Sequence, residues 1–357
     1  MDNINLIHNL MVKACLSNSI EIQRKLVAQW ESEIVIDDMD YSSMRLVPLF
    51  FYKNQQAGIF TKYDNRLKII YKHWWLKTQH IVNQLNSVYE TFKKHGIASV
   101  VIKGASIMTY YDKLELRPMA DFDLLVKPAD IKNALDLLKQ IGYSPNRTLA
   151  PIVKSSPKLL TDFINAIDCK HTLTATEIDL HWNAGSFCSA RFTEQLWLNL
   201  TDYGPIADAK KPKLAFEVFL TIVHAVTSEN RDNLNWIIDI SLLNPSEVVW
   251  NEARDIAVEE KKEKLFDYGC SLLTEFGIAA PLTVAPKKPR IPVFIFDEKE
   301  KNMFWFNLYM LKIQNLFLYP RYLFPEAAWF TKFYHLLRRV YFSVVLKRSE
   351  IQANRNS

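Results

Sequence analysis

The sequence is short of glycine, with 8 in 357 residues. Glycine supplies the left-handed and tightly turned backbone that glycine-rich loops and turn-rich sheets need. Its scarcity disfavours a glycine-rich dinucleotide fold and an all-β fold, and favours long helices. Cysteine is scarce too. Cys15, Cys169, Cys188 and Cys270 include no Cys-x-x-Cys pair and make no disulfide framework. No apolar run reaches the ~18 uncharged residues that a membrane-spanning helix needs. Met1-Asp2-Asn3-Ile4-Asn5 lacks the basic stretch and apolar core of a signal peptide. Reduced thiols and a cytoplasmic location are therefore expected, with no transmembrane segment. Charge of one sign is not in large excess either: 44 Lys and Arg against 39 Asp and Glu leave +5. That permits a basic patch but does not by itself argue for a nucleic-acid partner. Apolar residues at 49% and charged residues at 23% exclude intrinsic disorder. There is no internal repeat and no low-complexity tract.

What is present divides the chain in three. Residues 1–94 read as a helical region. Ile22, Leu26 and Trp30 share one helical face, with Ser17 or Ser19 placed to cap it. Asn65–Lys94 has neither Gly nor Pro. Leu67, Ile70, Trp74, Ile81, Leu85, Val88 and Phe92 recur there at helical spacing, and His95-Gly96 provides the stop. Residues 95–190 read as an α/β core. Ile97–Ile102 is a β-branched run, the mark of a buried strand. Lys103-Gly104-Ala105-Ser106 reads as a turn, and Ile107–Tyr111 as a helix start. Phe122–Val126 reads as a second strand, Pro128–Ile141 as a helix, and Lys170–Thr174 as a third strand. Glu177–Trp182 alternates polar and apolar residues and reads as a fourth strand. Residues 191–357 return to helix, with strongly apolar Phe216–Val226 and Trp236–Leu243. Pro281, Pro286, Pro289 and Pro292 mark a connection. Thr331–Arg348 carries Lys332, Arg338, Arg339, Lys347 and Arg348 among aromatics and no acid. This basic aromatic tail reads as a terminal helix packed on the body, with an RNA or membrane-surface face as the alternative.

The chemistry centres on Asp121 and Asp123. Two residues apart on a strand, they share a face. Paired carboxylates resist joint ionisation unless a positive charge lies between them. A divalent cation is the usual answer, and oxygen ligands select Mg²⁺ or Mn²⁺. The fourth strand puts Glu177, Asp179 and His181 on one face, so an adjacent placement would bring Asp179 beside the pair. Three carboxylates at Asp121, Asp123 and Asp179 would hold two metal ions, one activating an attacking oxygen and one on a phosphate. Upstream, the small-residue turn at Gly104 and Ser106 opens a helix, a ready place for phosphate. Lys103 reads as a phosphate cation or a solvated lysine. Arg117 reads as a phosphate clamp or as an ion pair holding the loop. His181 reads as a satisfied buried histidine, with a general base or a partner of a metal ligand as alternatives. His224 and Asp239 read as a structural pair, or as lining of the nucleotide pocket.

Three segments together carry a resemblance. They are Lys103-Gly104-Ala105-Ser106, Arg117-Pro118-Met119-Ala120-Asp121-Phe122-Asp123-Leu124-Leu125-Val126, and Ile178-Asp179-Leu180-His181-Trp182. They resemble the uncharacterised nucleotidyltransferase family of the DNA polymerase β-like superfamily. Asp40–Leu49, His224 and Trp236–Ile240 resemble its outer helical segments. Ala105 departs from the superfamily turn, which has Gly or Ser there, and Ser106 stands one position late. The resemblance implies an α+β fold: a nucleotidyltransferase-type mixed sheet with helices, flanked by N- and C-terminal helical regions. It implies an ATP- or other NTP-binding enzyme that transfers NMP to an acceptor and releases pyrophosphate. The acceptor is open among a small molecule, a sugar, a protein and an RNA. The alternative function is a non-catalytic nucleotide-binding regulator or an interaction protein.

Overall fold

The computed structural model describes residues 3–146, 149, 164–185, 188–227 and 233–281. Four helices lead: α1 (Asn3–Leu16), α2 (Ile20–Glu33), α3 (Tyr41–Gln56) and α4 (Asp64–Lys94). Ser19 caps α2 by accepting from the Ile22 amide, and Asp40 caps α3 by accepting from Ser43. The apolar spacing of α4 does two jobs. Leu67 joins Trp30 and Phe50 in an N-terminal core, while Ile81, Leu85, Val88 and Phe92 pack on the sheet. With 31 residues, α4 is about 46 Å long at 1.5 Å per residue, enough to strut both cores. Gly96, at φ 71°, takes the left-handed turn that ends it.

The sheet is mixed, with seven strands among the described residues. They are β1 (Ser99–Ile102), β2 (Asp121–Val126), β3 (Tyr143–Pro145), β4 (Ala166–His171), β5 (Glu177–His181), β6 (Leu200–Asp202) and β7 (Lys210–Pro212). Their order is β3-β4-β5-β2-β1-β7-β6. Short α5 (Lys103–Ile107) follows β1, α6 (Ile131–Gln140) follows β2, and α7 (Ala190–Leu198) precedes β6. Then come α8 (Leu214–Thr227), α9 (Asn235–Leu243), α10 (Glu247–Glu259) and α11 (Glu263–Glu275). The fold is thus α+β, a helix-rich chain around one mixed sheet. Among the described residues no helix is long and apolar enough to cross a membrane.

Side-chain alternation splits the sheet into two faces. Val101, Phe122, Leu124, Ile178 and Leu180 pack under α4 and α6. Val100, Ile102 and Leu125 pack with the helices from α7 onward. Asp123 lies between Phe122 and Leu124 in sequence, so it shares the second face, the one α8 covers.

The expected Lys170–Thr174 strand ends three residues early. Ile167 and Cys169 supply its buried positions, and residues 172–174 turn sharply into Ala175, at φ 55°. The expected Ile97–Ile102 strand starts at Ser99, and the fourth strand stops at His181 rather than Trp182. Where a turn was expected at Lys103–Ser106, α5 begins at once. Three strands, β3, β6 and β7, were not foreseen; each is only three residues long. The basic aromatic tail at Thr331–Arg348, and Pro286, Pro289 and Pro292, lie outside the described residues.

Candidate functional site

Strand register builds the site. In the parallel pairing of β2 with β5, Asp121 stands opposite Glu177 and Asp123 opposite Asp179. Opposite residues on neighbouring strands point to the same face, so the two carboxylates meet. His181, two residues past Asp179, completes the group: ligand atoms of Asp123, Asp179 and His181 all lie within 4.8 Å of one another. Asp121 is outside that group, at the exposed start of β2. The structure therefore gathers Asp, Asp and His where three aspartates were expected, and His181, read as a satisfied buried histidine, stands among the potential ligand atoms.

Across the β1–β2 pairing, Ile102 stands opposite Asp123. The next residue, Lys103, bends the chain with φ 52°. A left-handed non-glycine residue costs on the order of 1–3 kcal/mol and persists only where its surroundings fix it. Here the fixing contacts are ionic. Lys103 Nζ donates to Asp123 Oδ1 at 2.7 Å and lies 3.1 Å from His181 Nε2. His181 Nε2 is also 2.9 Å from Asp123 Oδ1, and Nδ1 is 3.2 Å from the Asn183 carbonyl. The Asp123 carboxylate and the Asn183 carbonyl both only accept, so a neutral ring donates to one of them from whichever nitrogen carries its hydrogen.

The charges are unevenly satisfied. Burial opposes ionisation of Asp123, but Lys103 and His181 outweigh it and hold its carboxyl below the ordinary range. Burial would likewise neutralise Lys103, yet Asp123, Asp179 and Asp121 raise its pKa. Lys103 offsets the Asp179 charge only in part. Burial, then the charges of Asp123 and Asp121, push it up to about 7. Desolvation and Asp123 also raise Asp121, against Arg45 and Lys103. Burial and Lys103 lower His181, which favours the neutral ring a metal ligand needs.

A pocket of about 330 Å³ opens on these groups. Asp121, Asp123, Asp179, Lys103, Gly104 and Arg117 line it, together with Glu217, Thr221 and His224 of α8 and Asn235 and Asp239 of α9. Arg117 makes a two-pronged pair with buried Asp239: Nε donates to Oδ1 and Nη2 to Oδ2, both at 2.8 Å. Tyr111 donates to the same Oδ1 at 2.7 Å. Arg117 thus holds the loop before β2 onto α9, the ion-pair reading of that residue. A Cβ on Gly104 would lie 2.7 Å from Arg117 Nη1, so glycine here makes room for the pinned guanidinium.

Other expected residues are placed differently. Ser106 is fully buried, is not among the lining residues of the pocket and donates its hydroxyl to Glu217 Oε1, which leaves it poorly placed as a phosphate ligand. The five-residue α5 is also too short for a strong helix dipole. His224 and Asp239 do not pair, because Asp239 is taken by Arg117 and Tyr111; both instead line the pocket. Sequence reading missed Arg45, Glu217, Thr221 and Asn235. Glu217 had a signal: it is the one acid in the apolar run Phe216–Val226. Arg45 lay within the segment of family resemblance but carried no local chemical sign.

The sequence pattern of a family described as uncharacterised nucleotidyltransferase matches residues 42–277. The chain belongs to this family. The matched span takes in α3 and Arg45, the whole described sheet and α8 through α11, so the site lies entirely within the nucleotidyltransferase portion. No curated protein shows a significant match.

The donor set fits a divalent cation. Two carboxylates and an imidazole converge, Asp179 carries poorly compensated charge, and an ammonium already bridges Asp123 and His181.

Proposed function

We propose that the protein transfers a nucleoside monophosphate from an NTP to an acceptor with release of pyrophosphate. One observation carries this reading. Asp123 and Asp179 stand opposite each other on adjacent parallel strands, with His181 beside them, in a chain of a nucleotidyltransferase family. The acceptor oxygen forms a bond to the α-phosphorus. The bond from that phosphorus to the α–β bridging oxygen breaks, and pyrophosphate leaves with the electron pair. Asp123, Asp179 and His181 would hold Mg²⁺ or Mn²⁺, with Asp121 beside them. When bound, the ion offsets the charge that develops on the phosphates. Lys103 and the Gly104 backbone share the pocket wall with the carboxylates and would meet the triphosphate, with Arg45 as a further cation. Arg117 acts through Asp239, fixing the loop that delivers Asp121 and Asp123. Four free, buried cysteines suit a reducing, cytoplasmic setting.

The test incubates the protein with each labelled NTP, Mg²⁺ or Mn²⁺ and a cell extract. Pyrophosphate release and a labelled product are expected. Asp123→Asn should lose both while keeping its circular dichroism spectrum. No release with any NTP would overturn the reading. A second reading, a nucleotide-binding regulator without turnover, is favoured by the Lys103 ammonium that already bridges Asp123 and His181. It requires NTP binding that persists in EDTA, with no pyrophosphate formed.

A further inference from the structure

The α8 wall of the pocket is chemically unlike the rest of its helix. Most of Leu214–Thr227 is apolar and buried. Glu217, Thr221 and His224 break that pattern at positions i, i+4 and i+7, which form one stripe on a helix. All three line the pocket that the carboxylates also line. Glu217 is 3% exposed and Thr221 8%. Ser106 takes Glu217 Oε1 and Tyr110 hydrogen-bonds to the same carboxyl group, whereas Thr221 Oγ1 and Asn235 Oδ1 from α9 have no hydrogen-bond partner. Buried polar atoms left unpaired oppose folding, and native proteins keep few of them. Two on residues that line one pocket, Thr221 and Asn235, point to a ligand that completes them.

The chemistry of these groups restricts that ligand. The Asn235 amide oxygen only accepts, so the ligand must bring a donor. Phosphate oxygens bring none. Hydroxyls both donate and accept. Two neighbouring hydroxyls could donate to Glu217 and Asn235 while accepting from Thr221. A carboxylate taking sugar hydroxyls is a recurring solution in nucleotide recognition.

We propose that Glu217, Thr221 and Asn235 form a subsite for a vicinal diol, either the ribose of the NTP or the hydroxyls of a polyol acceptor. This rests on the nucleotidyltransferase reading and adds to it the substrate group held in the pocket that the carboxylates also line. Thr221→Val is the discriminating change, because it keeps the shape and removes an unpaired hydroxyl. A structural role for that hydroxyl predicts a lower melting temperature. The subsite predicts an unchanged or higher one, with loss of ligand binding. Thr221→Ser should behave as the parent.

The first arm measures calorimetric binding of ATP, 2′,3′-dideoxy-ATP and tripolyphosphate with Mn²⁺. If the diol is the ribose, the parent prefers ATP over the dideoxy analogue by at least ~100-fold, as the loss of several hydrogen bonds implies, and Thr221→Val lowers that preference about tenfold. The second arm measures pyrophosphate release with a cell extract before and after periodate, which cleaves vicinal diols. If the diol is on the acceptor, periodate abolishes release, and Thr221→Val lowers it about tenfold at unchanged KM for NTP. A Thr221→Val protein that matches the parent in both arms overturns the subsite, as does one that melts several degrees lower. A parent that binds no NTP and releases no pyrophosphate shows instead that the nucleotidyltransferase reading is wrong, and the subsite falls with it.

Discussion

Asp179→Asn should stabilise the metal-free protein while destroying transfer. Burial, with the charges of Asp123 and Asp121, pushes the Asp179 carboxyl up to about 7. Against an ordinary value near 3.9, this is about three units, or ~4 kcal/mol at ~1.4 kcal/mol per unit. The carboxylate is half-buried and lines an open pocket, so solvent screening reduces the expected effect to ~2 kcal/mol. The sign follows from linkage. The folded pKa is raised, so the contribution of Asp179 to stability is complete below its unfolded value near 4. It is lost as pH rises through about 7. Asparagine lacks this dependence. In EDTA at pH 8, Asp179→Asn should therefore be the more stable protein by ~2 kcal/mol, a rise of several degrees in Tm. Near pH 4 the two should converge. Adding Mn²⁺ should raise the Tm of the parent and leave that of the variant almost unmoved. Pyrophosphate release should fall at least ~100-fold, in line with loss of a principal electrostatic stabiliser. Scanning calorimetry at the two pH values, with and without metal, decides the matter. A variant no more stable than the parent at pH 8 in EDTA would refute the carboxylate crowding from which the site is argued.

Three further outcomes follow from neighbouring contacts. Lys103→Met leaves Asp123 buried without its ammonium, and should cost ~3 kcal/mol in EDTA, with part restored by millimolar Mn²⁺; urea midpoints that ignore Mn²⁺ would contradict this. Arg117→Lys cannot reproduce the two-pronged pair with Asp239, and should cost ~2 kcal/mol. Combined with Asp239→Asn, it should be clearly less than additive, and strict additivity of the unfolding energies would break the proposed link. If His181 supplies a ligand, Mn²⁺ should bind more tightly than Mg²⁺ by calorimetry, and His181→Ala should narrow the gap. An unchanged Mn²⁺ preference would remove His181 from the donor set.

Much of this was legible in one dimension because its cause is local. The period of Leu67 to Phe92 fixed α4 almost to the residue, since a helix needs only its own spacing and a stop at Gly96. The alternation in Glu177–His181 put Asp179 and His181 on one face before any partner strand was known. The polar character of Asp121, Asp123 and Asp179 marked a site because carboxylates in apolar strands need a reason. What stayed hidden depends on long-range neighbours. Ser106 looked like a phosphate ligand until Glu217, far along the chain, took its hydroxyl. Asp239 looked like a partner for His224 until Arg117 and Tyr111 claimed it.

The division follows how far each interaction reaches along the chain. Periodicity, capping and strand alternation involve residues within a few positions of one another, so the residue order alone specified α4, the strands β1, β2 and β5 and the face that Asp123 and Asp179 occupy. Register does not work that way. Only the pairing of β2 with β5 set Asp123 opposite Asp179 rather than one residue out of step, which would have turned the acid to the other face. Only the left-handed bend at Lys103 aimed its ammonium between Asp123 and His181. And only the packing of α8 across that sheet face brought Glu217 and Thr221 to the same pocket, because burial joins residues by distance in space and not along the chain.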